Sequence, residues 1–307
     1  MTSCRICGNN IQDSADKCHD NCLKKLFGVS YVPGFDVSLP EISLKAQESA
    51  GKLSISGMQP KLSVRLNTDT HMLEVSPEHG EFILKPQTEA FPHLPENENL
   101  CMTIAALLGI NVPAHGLITL KDNTNAYIVK RYDREGKAKI HQENFYQILE
   151  KKDKYKGSYE EIGKRLKEIS AVPGLDIQLF YERVLFDFLI GNGDAHLKNY
   201  SVIYNKAEKA IRLAPAYDIV CSKLVIPGEE DFALTLNGKR NHINGSDFAR
   251  FITYLGIPEK AVKNKFLDSK SIFLEQIAQS ELTPKAKESM LSIIEERFAR
   301  INKTNGL

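Results

Sequence analysis

The chain has little of what would mark it for a membrane, a secretory route or a bulk polyanion. Lys plus Arg number 40 against 39 Asp plus Glu, a formal net charge of +1. No bulk basic field exists, and composition gives no ground for nucleic-acid binding by this chain alone. Long apolar runs are missing. Stretches such as "VLFDFLI" are short and interrupted by charge, which argues against a spanning helix. The start, "MTSCRICGNN", lacks the apolar segment of a signal peptide, so a cytoplasmic protein is expected. There is no internal repeat, no low-complexity tract, and neither a G-x-G-x-x-G nor a Walker A loop. What is present is ordinary for a soluble globular protein: 307 residues, 42% hydrophobic and 26% charged. That length suits a two-lobed enzyme or two domains.

The pattern along the chain divides it into 1–28, 29–132 and 133–307. The first part is a small Cys-rich head. In the second, "KLSISGMQPKLSVRL" reads as strand, turn, strand around Gly57, and "FILKP" is a strand stopped by Pro86. "ENENLCMTIAALLGINVP" has helical spacing at Leu100, Ile104 and Leu108, with Gly109 as its stop. "HGLITL" and "NAYIVKRYDR" add strands, which makes a compact α+β lobe. The third part leans helical. "DIQLFYERVLFDFLI" is apolar around most of its circumference, with Glu182, Arg183 and Asp187 on a narrow stripe, the pattern of a buried helix. "YSVIYN" and "AIRLAPAYDIV" are short strands, the Asn-Gly in "FALTLNGKRNHI" signals a hairpin, and helices fill residues 246–302.

Four of the six cysteines fall in "CRICGNNIQDSADKCHDNC". Cys101 and Cys221 stand alone in apolar surroundings, as inert core thiols do. In the head, Cys4, Cys7, Cys18, His19 and Cys22 offer five ligands for the four positions of a structural zinc ion. Cys4 and Cys7 form one pair. The second is either Cys18 with Cys22 or His19 with Cys22, and free surface thiols are the bland alternative.

"FDFLIGNGDAHLKNYSVIY" carries more polar chemistry than a turn needs. Asp194 and Asn199 stand five apart, and Asp218 follows at the end of an apolar strand. Phosphoryl transfer from ATP uses such a set: one carboxylate takes the acceptor's proton, while a second carboxylate and an amide oxygen hold magnesium. Protein kinases use the same spacing on their catalytic loop. Lys198 in the same turn adds a cation. An Asp-x4-Asn alone is a chance pattern, and Asn, Gly and Asp are ordinary turn residues. The order of helix, polar loop, strand pair and Asp218 carries the reading. Upstream, Ser54, Ile55, Ser56 and Gly57 form a loop able to offer N–H groups and hydroxyls to phosphates. Lys85 ends a strand and is a candidate to reach phosphates, with Glu98 as its expected partner, although a single strand-end lysine is usually just solvated. Lys130, Arg131 and Tyr132 are the candidate lobe-joining segment, with its backbone toward adenine.

Together "SISGMQPKL", "FILKP", "ENENLCM", "VKRYDR", "GNGDAHLKNYS" and "LAPAYDIV" resemble, in order, the HipA family of serine/threonine kinases, toxins of bacterial toxin–antitoxin systems. The resemblance implies a bilobal protein-kinase-like α+β fold, with a small β-rich N-lobe, a mostly helical C-lobe and the Cys-rich head ahead of them. It implies that Asp194 is the catalytic base, Asn199 and Asp218 the Mg2+ ligands, and Lys85 the phosphate-binding lysine, with His196 near the ATP. Ser54 matches the serine that family members autophosphorylate, and Ser56 is a second candidate. The chain looks like the short HipT form, which puts the usual antitoxin contacts in doubt. Short-form kinases have a histidine ahead of "CLKKLFG", which favours His19. Implied partners are an aminoacyl-tRNA synthetase as substrate and antitoxins of the HipB or HipS type, with DNA reached only through an antitoxin. Two alternatives stay open. A small-molecule kinase of the aminoglycoside or choline type shares the Asp-x4-Asn loop. A non-catalytic nucleotide-binding partner module would bind ATP without transfer.

Overall fold

A computed structural model describes residues 2–11, 17–42, 59–136, 138–205, 209–226, 228–258 and 266–302. The loop holding Ser54, Ile55, Ser56 and Gly57 lies outside the described residues. The chain divides into two compact units. One comprises Met1–Thr103, Pro113–Lys137 and Ala278–Leu282, the other Ile104–Val112, Ala138–Ile277 and Thr283–Leu307.

The first unit opens with a two-residue pair, β1 (Thr2–Ser3) with β2 (Asn10–Ile11), followed by helix α1 (Asp20–Phe27). Its centre is an antiparallel sheet of β3 (Leu62–Asn67), β4 (Met72–Val75), β5 (Phe82–Pro86), β6 (His115–Thr119) and β7 (Asn125–Lys130), in the order β4-β3-β5-β7-β6. Helix α2 (Leu94–Leu107) starts in this unit. The sequence expectation of strands at "FILKP", "HGLITL" and "NAYIVK" and a helix at "ENENLCM" is met.

The Cys-rich segment shares the sheet's core. Ile6, Leu23, Leu26 and Phe27 are buried in one cluster with Leu62, Val64, Phe82, Leu84 and Ile128. Too few residues are available for the segment to bury a core alone, so it borrows one. It docks on edge strand β6 at Gly116, where an added Cβ would lie 2.9 Å from the Ile6 side chain. The Leu117 N–H donates to the Arg5 carbonyl at 3.3 Å, so the head also covers an exposed sheet edge.

The second unit contains a three-stranded antiparallel sheet of β8 (Gln142–Asn144), β9 (Ser201–Asn205) and β10 (Ala210–Leu213), with β9 in the centre. Around it are α3 (Phe145–Ile148), α4 (Tyr159–Ile169), α5 (Pro173–Ile190), α6 (Gly245–Leu255), α7 (Lys270–Gln279) and α8 (Pro284–Asn302). Capping boxes start three of these: Asn144 with Gln147, Ser158 with Glu161, and Asn244 with Asp247. Helix α5 is buried from Phe180 to Ile190 on every side, as its all-round apolar pattern predicts. Gly191, at φ 78°, ends it in the left-handed region.

One expectation is corrected. Asn237 and Gly238 have φ of 50° and 74°, as a type I′ turn needs. The hairpin does not extend past a single bridge, Leu236 to Lys239. The preceding residues pair elsewhere: Thr235 bridges Ser158, and its N–H donates to the Gly157 carbonyl at 3.2 Å. Long-range pairing to the start of α4, with Phe232 and Leu234 fully buried, outcompetes the local ladder.

Candidate active site

The polar stripe of α5 explains how a buried helix accommodates charge. Asp187, 2% exposed, accepts from Tyr200 Oη at 2.6 Å and from Asn192 Nδ2 at 2.8 Å. Arg183, 3% exposed, donates to the Asn199 carbonyl at 2.7 Å, and its guanidinium lies 5.0 Å from the Tyr200 ring. The stripe therefore grips both ends of the loop 191–200. Burial raises Asp187 to about 6, opposed by the Arg183 charge and the two hydrogen bonds. Desolvation outweighs the compensation because the carboxylate is fully enclosed.

The near end of the loop is held from the opposite side. Gly193 and Asp194 both donate their backbone N–H to Ser222 Oγ, at 2.8 and 3.2 Å. Ser222 Oγ donates in turn to Glu229 Oε2 at 2.7 Å. A hydroxyl has one hydrogen and two lone pairs, and this arrangement uses all three. Burial pushes Glu229 up to about 7, with the Ser222 bond lowering it and the Asp194 charge raising it further. Only glycine fits at 193, since a Cβ there would lie 2.5 Å from Glu229 Oε2 and 2.6 Å from the Glu230 carbonyl.

On this backbone the half-buried Asp194 carboxylate accepts from Tyr155 Oη at 3.0 Å. Tyr155 is raised to about 12, by burial first and then by the Asp194 charge and its hydrogen bond. Two residues on, His196 donates its backbone N–H to Asn199 Oδ1 at 3.0 Å. Its ring Nε2 lies 2.7 Å from Lys154 Nζ, which donates to it. Burial lowers the His196 pKa, the Asp194 charge raises it, and Lys154 lowers it. The ring is therefore neutral, and with Nε2 accepting, the proton sits on Nδ1. That Nδ1 is buried and makes no hydrogen bond to the described residues.

Asp218 follows β10 without ending it, contrary to the sequence reading: the strand stops at Leu213, and Asp218 lies in the non-strand segment beyond. Its backbone is left-handed, at φ 60°, a region that Asp tolerates better than most residues. The preceding Tyr217 is the link. Its hydroxyl donates to the Lys198 carbonyl at 2.8 Å and takes a hydrogen bond from Ser201 Oγ. The Asp218 charge raises the pKa of both His196 and Tyr217. Asp194, His196, Asn199 and Asp218 are thus gathered in one unit by Arg183, Ser222 and Tyr217.

Lys85 belongs to the sheet-bearing unit. At the end of β5 it is 4% exposed, and its Nζ is 2.5 Å from Glu98 Oε1 on α2. The Lys85–Glu98 pair expected from sequence is present, and Tyr127 lies beneath the ammonium at 5.5 Å. At the end of β7 the backbone N–H groups of Lys130 and Arg131 donate to Ala114 and Glu81, both at 2.8 Å. The Arg131 side chain makes a two-bond contact with Asp133, at 2.9 and 2.7 Å. Any adenine contact by these two residues therefore falls to groups other than their N–H. In the head, ligand atoms of Cys4, Cys7, His19 and Cys22 lie within 4.8 Å of one another. Cys18 is buried and is not among these four.

Sequence reading missed Lys154, Tyr155, Tyr217, Ser222 and Glu229. Tyr155 sits in a polar run and Ser222 is a lone hydroxyl after Cys221. Neither carries a local pattern, because each acts on a residue far away in the chain.

A carboxylate on a braced loop, an amide oxygen five residues on and a second carboxylate after a strand pair are the kind of set that phosphoryl transfer from ATP uses. The family model of the HipA-like C-terminal domain matches residues 53–295. The chain belongs to this HipA-like kinase family. A putative kinase of Haemophilus influenzae is 30% identical over 298 residues, with 86% of each chain covered. The serine/threonine-protein kinase toxin HipA of Shewanella oneidensis is 26% identical over 231 residues, covering 67% of this chain and 52% of that one. The solved complex of Shewanella oneidensis HipA, HipB and operator DNA shares the fold, with TM-score 0.67 at 21% identity over 82% of this chain and 65% of that one. The chain thus spans about half the length of the Shewanella toxin. Among the described residues no helix is long and apolar enough to cross a membrane.

Proposed function

We propose that this protein is an ATP- and magnesium-dependent protein serine/threonine kinase that acts as the toxin of a bacterial toxin–antitoxin pair. The observation that supports the reading best is that Asp194 and Asn199 share one braced loop, to which Tyr217 ties the chain that carries Asp218. The donor set fits the cofactors. Asn199 Oδ1 keeps a second lone pair beside the one taken by the His196 N–H, and Asp218 adds a carboxylate, the hard oxygen ligands magnesium prefers. ATP supplies the phosphoryl group, and magnesium offsets its charge. Asp194 orients the acceptor hydroxyl and takes its proton as the new oxygen–phosphorus bond forms and the bond from the terminal phosphorus to the leaving ADP breaks. Asn199 and Asp218 hold the ion. His196 offers its Nδ1–H to a phosphate oxygen, and Lys85, steered by Glu98, carries positive charge to the phosphates.

The substrate is a protein, with an aminoacyl-tRNA synthetase the expected target, and antitoxins of the HipB or HipS type are the expected partners. The relative crystallised with HipB and operator DNA supports an antitoxin partner. DNA is reached through that partner, since this chain's net charge is only +1. Mass spectrometry after incubation with ATP and magnesium, alone and with a cell lysate, tests the reading. Phosphate is expected on Ser54 or Ser56 of the protein itself and on a lysate synthetase. Self-phosphorylation places nearly two negative charges on the loop and opposes further ATP binding. Nucleotide binding without phosphate on self or on any lysate protein would favour the non-catalytic module.

A second variant tests Lys85. ATP with magnesium is expected to raise the melting temperature of the wild type by mass action. Lys85→Met is expected to weaken ATP binding by about tenfold or more, the worth of one charge-assisted hydrogen bond. Titrating the melting temperature against ATP reads the change. An unchanged midpoint would remove Lys85 from the phosphate site.

A further inference from the structure

The kinase reading leaves the cluster in the head unused. We propose that Cys4, Cys7, His19 and Cys22 bind one structural Zn2+, and that this ion holds the Arg5 clamp on the sheet-bearing unit.

The geometry comes first. Cys7 Sγ is 3.4 Å and Cys22 Sγ is 3.8 Å from His19 Nδ1, and all four ligand atoms lie within 4.8 Å of one another. Zinc–sulfur bonds of about 2.3 Å and zinc–nitrogen bonds of about 2.05 Å put the S···N edge of a tetrahedron at about 3.6 Å. The two observed distances bracket that edge. Three thiolates and one imidazole form a soft set that selects zinc over magnesium or calcium.

The backbone is built for the same purpose. Cys4 and Cys7 lie in the tight loop between β1 and β2, closed by Gly8 N–H to the Cys4 carbonyl at 2.9 Å. Gly8 has φ 73°, which lets the chain turn back behind the two thiols. His19 is the extended N-cap of α1, and Cys22 lies in the helix's first turn, with its N–H on the His19 carbonyl at 2.9 Å. Thiolates there face the positive end of the helix. His19 Nε2 lies 3.3 Å from the Asn10 carbonyl. A carbonyl only accepts, so Nε2 carries the hydrogen and Nδ1 turns its lone pair into the cluster, as the second partner of a metal-bound histidine does. Cys18 lies in the same buried core as Cys4, but the four ligand atoms that fall within 4.8 Å of one another include His19 and leave Cys18 out. This resolves the choice the sequence left open in favour of His19.

Arg5 lies between the first two ligands. Its Nε and Nη2 each donate to Glu281 at 2.6 Å, Nη1 donates to Thr119 Oγ1 at 2.8 Å, and Nη2 reaches Asn125 Oδ1 at 3.3 Å. Its carbonyl accepts from Asn99 Nδ2 at 3.2 Å and from Leu117 N–H. One residue of the knuckle thus ties together β6, β7, α2 and the returning segment Ala278–Leu282. An ion that fixes Cys4 and Cys7 fixes Arg5.

The test is metal analysis of the full chain purified with zinc and then dialysed against metal-free buffer. One zinc per chain is expected, with strong visible ligand-field absorption when Co2+ replaces it. His19→Ala is expected to lose most of the metal, and Cys18→Ala to keep it. Because a head variant can fail to fold, the wild type is also treated with a chelator. The melting temperature is expected to fall and to recover with added zinc, and hydrogen exchange in 278–282 is expected to quicken on chelation. Substoichiometric zinc in the wild type, or metal lost in Cys18→Ala but kept in His19→Ala, would overturn the site. Zinc bound at one equivalent with exchange in 278–282 unchanged by chelation would overturn the clamp.

Discussion

Asp194→Asn is expected to lower phosphotransfer, to self and to protein substrates alike, by about a hundredfold or more. The substitution is close to isosteric. The Asn oxygen can still accept from Tyr155, and the backbone N–H of residue 194 still reaches Ser222, so the loop keeps its bracing. What is lost is the capacity to take a proton and the negative charge that orients the acceptor hydroxyl. ATP affinity, which the proposal gives to Lys85, His196, Asn199 and Asp218, is expected to change little. The rate of phosphate incorporation, set beside the ATP-dependent rise in melting temperature, separates the two. Full phosphotransfer by this variant would remove Asp194 from the role of base and return the choice of base to Asp218.

The largest effect on stability is expected at Asp231. This carboxylate is 1% exposed and lies between two arginines of α8. Arg297, wholly buried, approaches it at 2.5 Å, and Arg300 makes a second close contact. Both guanidiniums also lie against the Phe188 ring, at 4.5 and 5.2 Å. The Ile243 N–H donates to the same carboxylate at 3.0 Å. Asp231→Ala leaves the buried Arg297 guanidinium beside another cation, with only the half-exposed Glu296 carboxylate, 3.5 Å from Arg297 Nε and 3.0 Å from Arg300 Nη1, to offset them. The expected cost is about 3–5 kcal/mol, most of it the penalty of stranded charge rather than the net worth of the pairs. At about 2–4 °C per kcal/mol for a unit of this size, the melting temperature should fall by roughly 6–20 °C. The pH dependence follows from the same group. Desolvation raises the Asp231 pKa, but Arg300, Arg297 and the Ile243 N–H outweigh it, and the folded value is lowered. Its stabilisation is therefore present above the unfolded carboxylate range and is lost as the pH falls through the lowered folded value. Melting curves across the acid range should show a shallower fall for Asp231→Ala than for the wild type. An unchanged melting temperature at neutral pH would show that α8 is held by its apolar face alone.

The difference between these two residues shows what was legible in advance. Asp194 was visible because its signal is local: an apolar helix breaks into Asn, Gly, Asp, His, Lys and Asn within one turn. Asp231 was not, since a lone Asp before "FALTL" has no pattern to stand out from, and its partners lie 66 and 69 positions later. The Lys85–Glu98 pair was readable because strand β5 and helix α2 follow one another and each has a clear period. The buried stripe of α5 was seen as a stripe, but not its purpose, because Asn192, Asn199 and Tyr200 meet it only after the chain has turned at Gly191. The hairpin at Asn237-Gly238 failed for the converse reason. Its turn chemistry is local and correct, while the partner of Thr235 is set by tertiary packing.

By itself the sequence set out most of the described elements, the kinase-like order of motifs and the expectation that Asp194, Asn199, Asp218 and Lys85 carry the chemistry. Hydrophobic period and turn chemistry act over a few residues, so they can be read along the chain. The tertiary structure decided which groups brace them. Ser222 and Glu229 hold the loop's first half, Tyr217 couples it to Asp218, Tyr155 and Lys154 settle on Asp194 and His196, and His19 rather than Cys18 joins the cysteine cluster. Each of these depends on where a hydrogen-bond donor or a ligand atom points, and that direction is fixed only when the backbone has folded around it.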